Sequence, residues 1–371
     1  MQSPDIPQLT HQVLWAALAL SMVFGAVAQR THFCTMGAVS DIVNMGDWTR
    51  MRQWALAAGV AVLGFGALVF SGRIDPSSTL YASNRWLWLS ALVGGGMFGF
   101  GMVLASGCGS KTLVRIGGGS LKAVVVFVVM AVAAGATLRG ITAVVRVATV
   151  DPVSWQLGTQ AALPQLLAPV AGWGLPATSL ALGLVVGGAL VGWALVGDGF
   201  VRAGNLLAGL GIGAVLVAMW WVSGHLGHVA EHPETLQEAF VGTYSGRIEA
   251  LSFVAPYAHA LDWLMFFSDN SRVLTLGIVS VVGVVAGSAV VALASHRFRW
   301  EGFGGPGDLA NHLCGAVLMG VGGVTAMGCT IGQGLSGLST LSLTSFVALA
   351  AILAGAVAAL RYQHWRLERS A

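Results

Sequence analysis

The sequence predicts an all-α polytopic membrane protein, with about nine transmembrane helices plus short re-entrant helices in two inverted-topology repeats. Three observations predict it. Of 371 residues, 56% are hydrophobic and 9% are charged, against about 25% charged in a soluble domain, and the mean hydropathy is +0.79. The apolar residues fall into nine separate stretches of membrane-crossing length. The chain also resembles itself at an offset of about 221 residues. Composition alone excludes a soluble enzyme, a disordered chain and a nucleic-acid binder, because so apolar a surface is incompatible with water. The first partner implied is the lipid bilayer. A net charge of +3 is too small to suggest a polyanion.

A membrane helix needs roughly 20 apolar residues to cross a hydrocarbon core of about 30 Å. The stretches lie at about 12–29, 53–71, 87–105, 121–143, 178–197, 204–224, 273–295, 308–327 and 343–361. The N-terminal MQSPDIPQLTHQ carries no Lys or Arg and no clear cleavage site, so the first stretch is read as a retained helix rather than a signal peptide. The 52 glycines fit close helix–helix approach. Tryptophans at span ends, among them Trp86, Trp88, Trp220, Trp221 and Trp300, fit an aromatic belt at the interfaces.

Lys and Arg distribution sets the orientation. Twelve lie on the side reached after the first span (Arg30, Arg50, Arg52, Lys111, Arg115, Lys122, Arg202, Arg297, Arg299, Arg361, Arg366 and Arg369), and the other six on the N-terminal side. The bias places the N-terminus outside and the C-terminus in the cytoplasm, as a multi-pass protein of a bacterial inner membrane.

The self-similarity pairs Gly94 with Gly315, Gly99 with Gly320, Gly101 with Gly322, and Gly107-Cys108 with Gly328-Cys329. Spans one to four then correspond to spans six to nine. Residues 1–150 form the first repeat, 151–203 a connector with one span, and 204–371 the second repeat. Equivalent helices are five spans apart, an odd number, so the halves sit upside down relative to each other. Inverted repeats are a transporter signature, with the substrate site between the halves near the midplane.

Three segments can carry chemistry. SGCGSKTLVRIGGGSLK (106–122) stops a Gly-rich span at Gly107-Cys108, allows a short helix over 110–115, and breaks at three glycines. Such a half-helix aims free N–H groups inward and favours anions. Lys111 and Arg115, four apart, share a face; they are either anion-binding groups or ordinary positive-inside charges. GCTIGQGLSGLS (328–339) is nearly the same device approached from the other face, and is uncharged. Thr330, Gln333 and Ser336 offer it neutral hydrogen bonds. AQRTHFCTMGAVSD (28–41) places Cys34 near Arg30, where a cationic setting favours thiolate. Cys314 reads as a small hydrophobe. His225, His228 and His232 lack the companions of a metal site, so neither metal nor cofactor is expected. Asp41 and Asp308 are the nearest candidates for a coupling carboxylate.

The chain resembles the YeeE/YedE family of membrane transporters over nearly its whole length. The likeness rests on Cys-x-x-Gly-Ala-x-x-Asp from Cys34 to Asp41, on Gly107-Cys108 with Arg115, and on Gly328-Cys329-x-x-Gly-Gln-Gly-Leu-Ser-Gly. The resemblance implies nine spans plus re-entrant helices, an hourglass formed by the two inverted halves, and a constriction lined by Cys34, Cys108 and Cys329. The family's best understood branch imports thiosulfate in bacteria; other members are tied to selenium metabolism and sulfur-oxidation gene sets. It implies a cytoplasmic TusA-like sulfurtransferase as the partner that consumes the anion. The expected substrate-binding residues are Cys34, Cys108, Cys329, Lys111, Arg115, Gln333, Gly107 and Gly328, with no catalytic residue. The alternatives are a membrane thiol or persulfide sulfur-relay enzyme, a transporter of sulfite or a selenium species, and an unselective small-anion channel.

Overall fold

In hydrocarbon every backbone N–H and C=O must find its partner within the protein, which leaves this chain the helix. The computed structural model describes residues 5–233, 235–269 and 271–370. Helix α1 (Ile6–Thr31) begins at Asp5, whose carboxylate accepts from the Gln8 N–H, and ends at His32 in the left-handed region. A short α2 (Thr35–Met45) follows, and α3 (Thr49–Phe70) recrosses. Helix α4 (Trp88–Leu104) runs into the protein, α5 (Gly109–Gly117) is a short broken continuation, and α6 (Leu121–Arg139) returns. Two short helices, α7 (Ile141–Thr149) and α8 (Leu163–Ala171), lead to the connector span α9 (Leu175–Leu182) and α10 (Gly188–Leu195), joined by a π-helical turn at Gly183–Gly187 and packed along α3. The second set is α11 (Ala203–Trp221), α12 (Val254–Met265), α13 (Leu276–Ala294), α14 (Pro306–Thr325) and α15 (Leu343–Ser370). Two small antiparallel pairings tie loops together, β1 (Arg85–Trp86) with β2 (Trp155–Gln156), and β3 (His228–Val229) with β4 (Ala239–Phe240).

Among the described residues, eight helical stretches are long and apolar enough to cross a membrane, and each coincides with an expected span. The expected span at 308–327 forms α14, which has 20 residues and so the required length of about 30 Å. Asp308, Asn311 and His312 in its first turns make it too polar to count with the other eight. The fourth span is shorter than expected. It stops at Arg139, and Gly140, in extended conformation, turns the chain into α7. One tryptophan departs from the aromatic-belt expectation: Trp220 is wholly buried and donates its indole N–H to Ser339 Oγ at 2.9 Å.

The centre is held by close backbone contact. A Cβ on Gly94 would lie 2.6 Å from the Gly322 carbonyl oxygen, and one on Gly322 would lie 2.6 Å from that of Gly94. Gly101 and Gly315 oppose each other in the same way, at 2.7 and 2.6 Å. Helices α4 and α14 thus cross with no side chain between them at these points, which only glycine permits. Around this crossing, α4 packs on α15 and α14 on α6, while α1 packs on α13 and α11 on α3.

Candidate functional site

Cys108 ends the descent of α4 and opens α5. Its backbone is extended (φ −79°, ψ 178°), and its Sγ lies 3.4 Å from Ser110 Oγ. Ser106, two residues earlier, adopts φ +56°, a conformation sparsely populated by L-residues and often found at functional sites. The same device recurs after α14. Met327 adopts φ +58°, Gly328-Cys329 follows, and the chain enters a π-helical turn over Gly332–Gly337. The Gly332 N–H donates to Cys329 Sγ at 3.4 Å. Cys34 is the N-cap of α2, where the Gly37 N–H donates to its Sγ, also at 3.4 Å.

The three thiols converge. Cys34 and Cys108 lie side by side, Thr330 Oγ1 lies against Cys108, and Cys329 is near enough to Cys108 for their charges to interact. All three cysteines are buried and unpaired. Two buried tyrosines fix the broken backbone. Tyr257 Oη donates to the Gly109 carbonyl at 2.5 Å, and Tyr81 Oη donates to that of Gly332 at 2.5 Å. Cys314, by contrast, is exposed on α14, away from this line.

The other expected site residues divide. Gly107 and Gly328 hold the approach to their cysteines, with the Lys111 and Gln333 side chains packed over them. Lys111 faces Cys34 and His32 and forms no ion pair among the described residues. Together, burial and the nearby cations Lys111, Arg297 and Arg50 hold the His32 imidazole below its usual range. Arg115 is engaged elsewhere: it donates to the Ser106 carbonyl at 3.2 Å and pairs with Glu301 at 3.4 Å, beside a Lys122–Glu301 contact of 2.6 Å. Burial opposes ionisation of Glu301, yet Lys122 and Arg115 hold its carboxyl below the usual range. Gln333 is also engaged at both ends, donating to the Ala326 carbonyl at 2.7 Å and accepting from Ser345 Oγ at 2.6 Å. Ser336 donates to the Leu251 carbonyl at 2.7 Å. Of the two carboxylates considered for coupling, Asp41 pairs with Arg50 at 3.2 Å, and Asp308 caps Gly304 and contacts His312 at 2.9 Å.

Two hydroxyls beside the cysteines have no such engagement. Thr35 Oγ1 and Thr330 Oγ1 are buried without a hydrogen-bond partner of bonding geometry. Leaving a polar group so costs about 1–3 kcal/mol. A signal for them was present in the sequence, since Cys34-Thr35-Met36-Gly37 and Cys329-Thr330-Ile331-Gly332 are the same Cys-Thr-x-Gly turn. Among the described residues, no group of three or more His, Cys, Asp or Glu is placed to hold a metal ion.

This arrangement offers S–H and O–H donors, broken-helix backbone and no ionised carboxylate at its centre, which suits a soft, oxygen-bearing anion. The family model described as sulphur transport matches residues 30–358. The chain belongs to the sulphur transport family. It is also similar to two curated members, both named thiosulfate transporter TsuA. The protein from Escherichia coli K12 is 26% identical over 349 residues, covering 92% of each chain. The protein from Spirochaeta thermophila is 26% identical over 347 residues, covering 91% of this chain and 94% of that one.

Proposed function

We propose that the chain imports thiosulfate, or a closely related inorganic sulfur anion, across the bacterial inner membrane through a constriction lined by Cys34, Cys108 and Cys329. The observation that carries this reading is the buried line of three free thiols between two broken helices. Thiosulfate has a soft terminal sulfur and hard oxygens. Thiols supply a polarisable neighbour and a weak donor, and helix N-termini supply donors for oxygen. The names of the two similar proteins support the same substrate.

The path lies between two inverted halves, residues 1–150 and 204–371, with 151–203 as a connector on the outside. Support comes from the glycine crossing: under the 221-residue offset, the Gly94–Gly322 contact maps onto Gly315–Gly101. The halves pinch an hourglass whose outer funnel is the cavity above Gly328 and whose cytoplasmic side carries Lys111. The N-terminus lies outside, a placement supported by the Lys/Arg asymmetry. The anion passes chemically unchanged, and a cytoplasmic TusA-like sulfurtransferase draws it inward by consuming it.

The test is uptake of sulfur-labelled thiosulfate by cells lacking other sulfur importers. Wild type takes up label, and Cys108→Ala, inserted at normal levels, loses it. Cys108→Ser retains part of the uptake because serine still donates a hydrogen bond, whereas a persulfide relay would lose all function. No uptake by wild type overturns the substrate, and equal uptake by Cys108→Ala overturns the role of the thiol line.

A further inference from the structure

The Cys-Thr-x-Gly turn occurs twice, at Cys34 and at Cys329, each close to Cys108, with the same internal geometry. In each, the glycine N–H donates to the cysteine Sγ at 3.4 Å. That bond occupies the sulfur as an acceptor; the Cys34 thiol also lies within hydrogen-bonding reach of Cys108. In each, the threonine hydroxyl is buried and has no hydrogen-bond partner of bonding geometry, with Thr35 2% and Thr330 0% exposed. Neighbouring donors in the second turn are already committed to the protein, Gln333 at both ends and Ser336 to a carbonyl. Thr330 is additionally set against Cys108, the middle thiol. Ser21, Ser120, Thr275 and Ser280 also carry buried hydroxyls without a partner, but of these six only Thr35 and Thr330 sit at equivalent positions of a repeated turn beside the thiols, which points to a common ligand.

We propose that the two Cys-Thr-x-Gly turns are matched half-sites for the anion, in which the Thr35 and Thr330 hydroxyls donate to its oxygens while the cysteine thiols meet its terminal sulfur. This rests on the thiosulfate reading of the thiol line and gives that line its specificity for a two-ended anion. A ligand all of hard oxygens would satisfy the hydroxyls and forgo the soft contact, and a purely soft ligand would leave both hydroxyls unbonded. Both half-sites adjoin Cys108, so the anion passes from Thr330 and Cys329 to Thr35 and Cys34 without losing its oxygen contacts.

The experiment uses the full-length protein carrying Thr330→Val, Thr330→Ser or Thr35→Val. Two readouts are taken: the KM for labelled thiosulfate uptake in cells, and the melting temperature of the purified protein without ligand. Valine matches threonine in shape and removes only the hydroxyl. Losing one hydrogen bond to a charged ligand corresponds to roughly ten- to hundredfold in affinity, so Thr330→Val and Thr35→Val each raise KM by about tenfold or more. Thr330→Ser restores it. The melting temperature of the valine variants stays level or rises, because an unbonded buried hydroxyl has been removed. A melting temperature that falls along with uptake would mean that the hydroxyl holds the fold, and would overturn the proposal. So would valine variants with wild-type KM while wild type transports thiosulfate normally. If wild type itself takes up no thiosulfate, the thiosulfate reading fails and the half-sites fall with it.

Discussion

Glu249 stands where an anion path should repel a carboxylate. It lines a cavity of about 260 Å³ whose floor includes Met327 and Gly328, directly ahead of Cys329. Its Oε1 accepts from the Ser245 N–H at 2.9 Å. The groups that face this cavity are Arg146, paired with Asp151 at 3.4 Å, and His259, stacked on Tyr244 with 3.6 Å between ring centroids; Arg139 also contacts Tyr244, 5.8 Å from its ring centroid. Arg247 is turned to the Ala82 carbonyl at 2.9 Å. Burial raises the Glu249 carboxyl above its usual range. The sign follows: a raised value means stabilisation that is present at low pH and is lost as pH rises through the folded-state value, where the side chain ionises. The ionised form also opposes a dianion in the cavity. Initial uptake rates should therefore increase as the external medium is acidified through the raised folded-state value. Glu249→Gln should be faster than wild type at neutral pH and nearly flat across the same range. Parallel pH profiles for the two proteins would exclude Glu249 as the titrating group. The cysteines were legible in the sequence because each interrupts an apolar or Gly-rich context with a reactive side chain. Glu249 was not, since it is one acid among several in a polar segment and nothing local says that it faces a cavity. Nor does sequence reveal that Gln333 and Arg115 spend their donors on neighbours that come into reach only through the fold.

The elements most readable beforehand were the long apolar helices, whose length is dictated by the bilayer. The short ones were less so. Helices α2 and α12 are amphipathic pieces of 11 and 12 residues, too short to announce themselves by hydropathy, and the π-helical turn at Gly332–Gly337 has no periodic signature. Helix α14 was expected as a span and is one by length alone, because its polar first turns pack beside α6 and the Lys122 network instead of facing lipid. The glycines of α4 separate two roles. A side chain at Gly101 would meet the Gly315 carbonyl at 2.7 Å, the Leu318 Cβ at 2.9 Å and the Met319 N at 3.0 Å, with backbone on the opposing helix unable to move aside. Gly101→Val should thus cost roughly 3 kcal/mol or more, beyond ordinary overpacking, and yield little monodisperse protein on detergent size-exclusion chromatography. Gly96 on the same helix has open space at its Cβ position, so Gly96→Ala should be neutral or stabilising by up to about 1 kcal/mol, the helix-propensity gain. A Gly101→Val protein with normal yield and melting temperature would show that the α4–α14 crossing is not the tight backbone contact described here.

For the molecule as a whole, the charge of the cargo constrains what the path can do. Moving one elementary charge through 100 mV is worth about 2.3 kcal/mol, so a dianion entering an interior-negative cell climbs about 4–5 kcal/mol. That corresponds to roughly a 2,000-fold opposing concentration ratio. Asp41 and Asp308, the carboxylates considered for coupling, are both held in local ion pairs, and the thiol line has no carboxylate of its own. On the proposed reading, such a path would conduct down the electrochemical gradient, and inward flux would depend on consumption at the cytoplasmic face. Purified protein in liposomes separates this from ion-coupled import, because no sulfurtransferase is present. With an imposed interior-positive potential, labelled thiosulfate should accumulate to a ratio whose logarithm is proportional to the potential. With an interior-negative potential it should be excluded, whatever the proton or sodium gradient. Adding a thiosulfate-consuming sulfurtransferase together with excess thiol acceptor inside the liposomes should restore steady inward flux at negative potential without changing the initial rate. Accumulation of intact thiosulfate against an interior-negative potential in the absence of that enzyme would require a coupling ion, and would direct attention to Glu249 as the carboxyl lining the cavity ahead of Cys329.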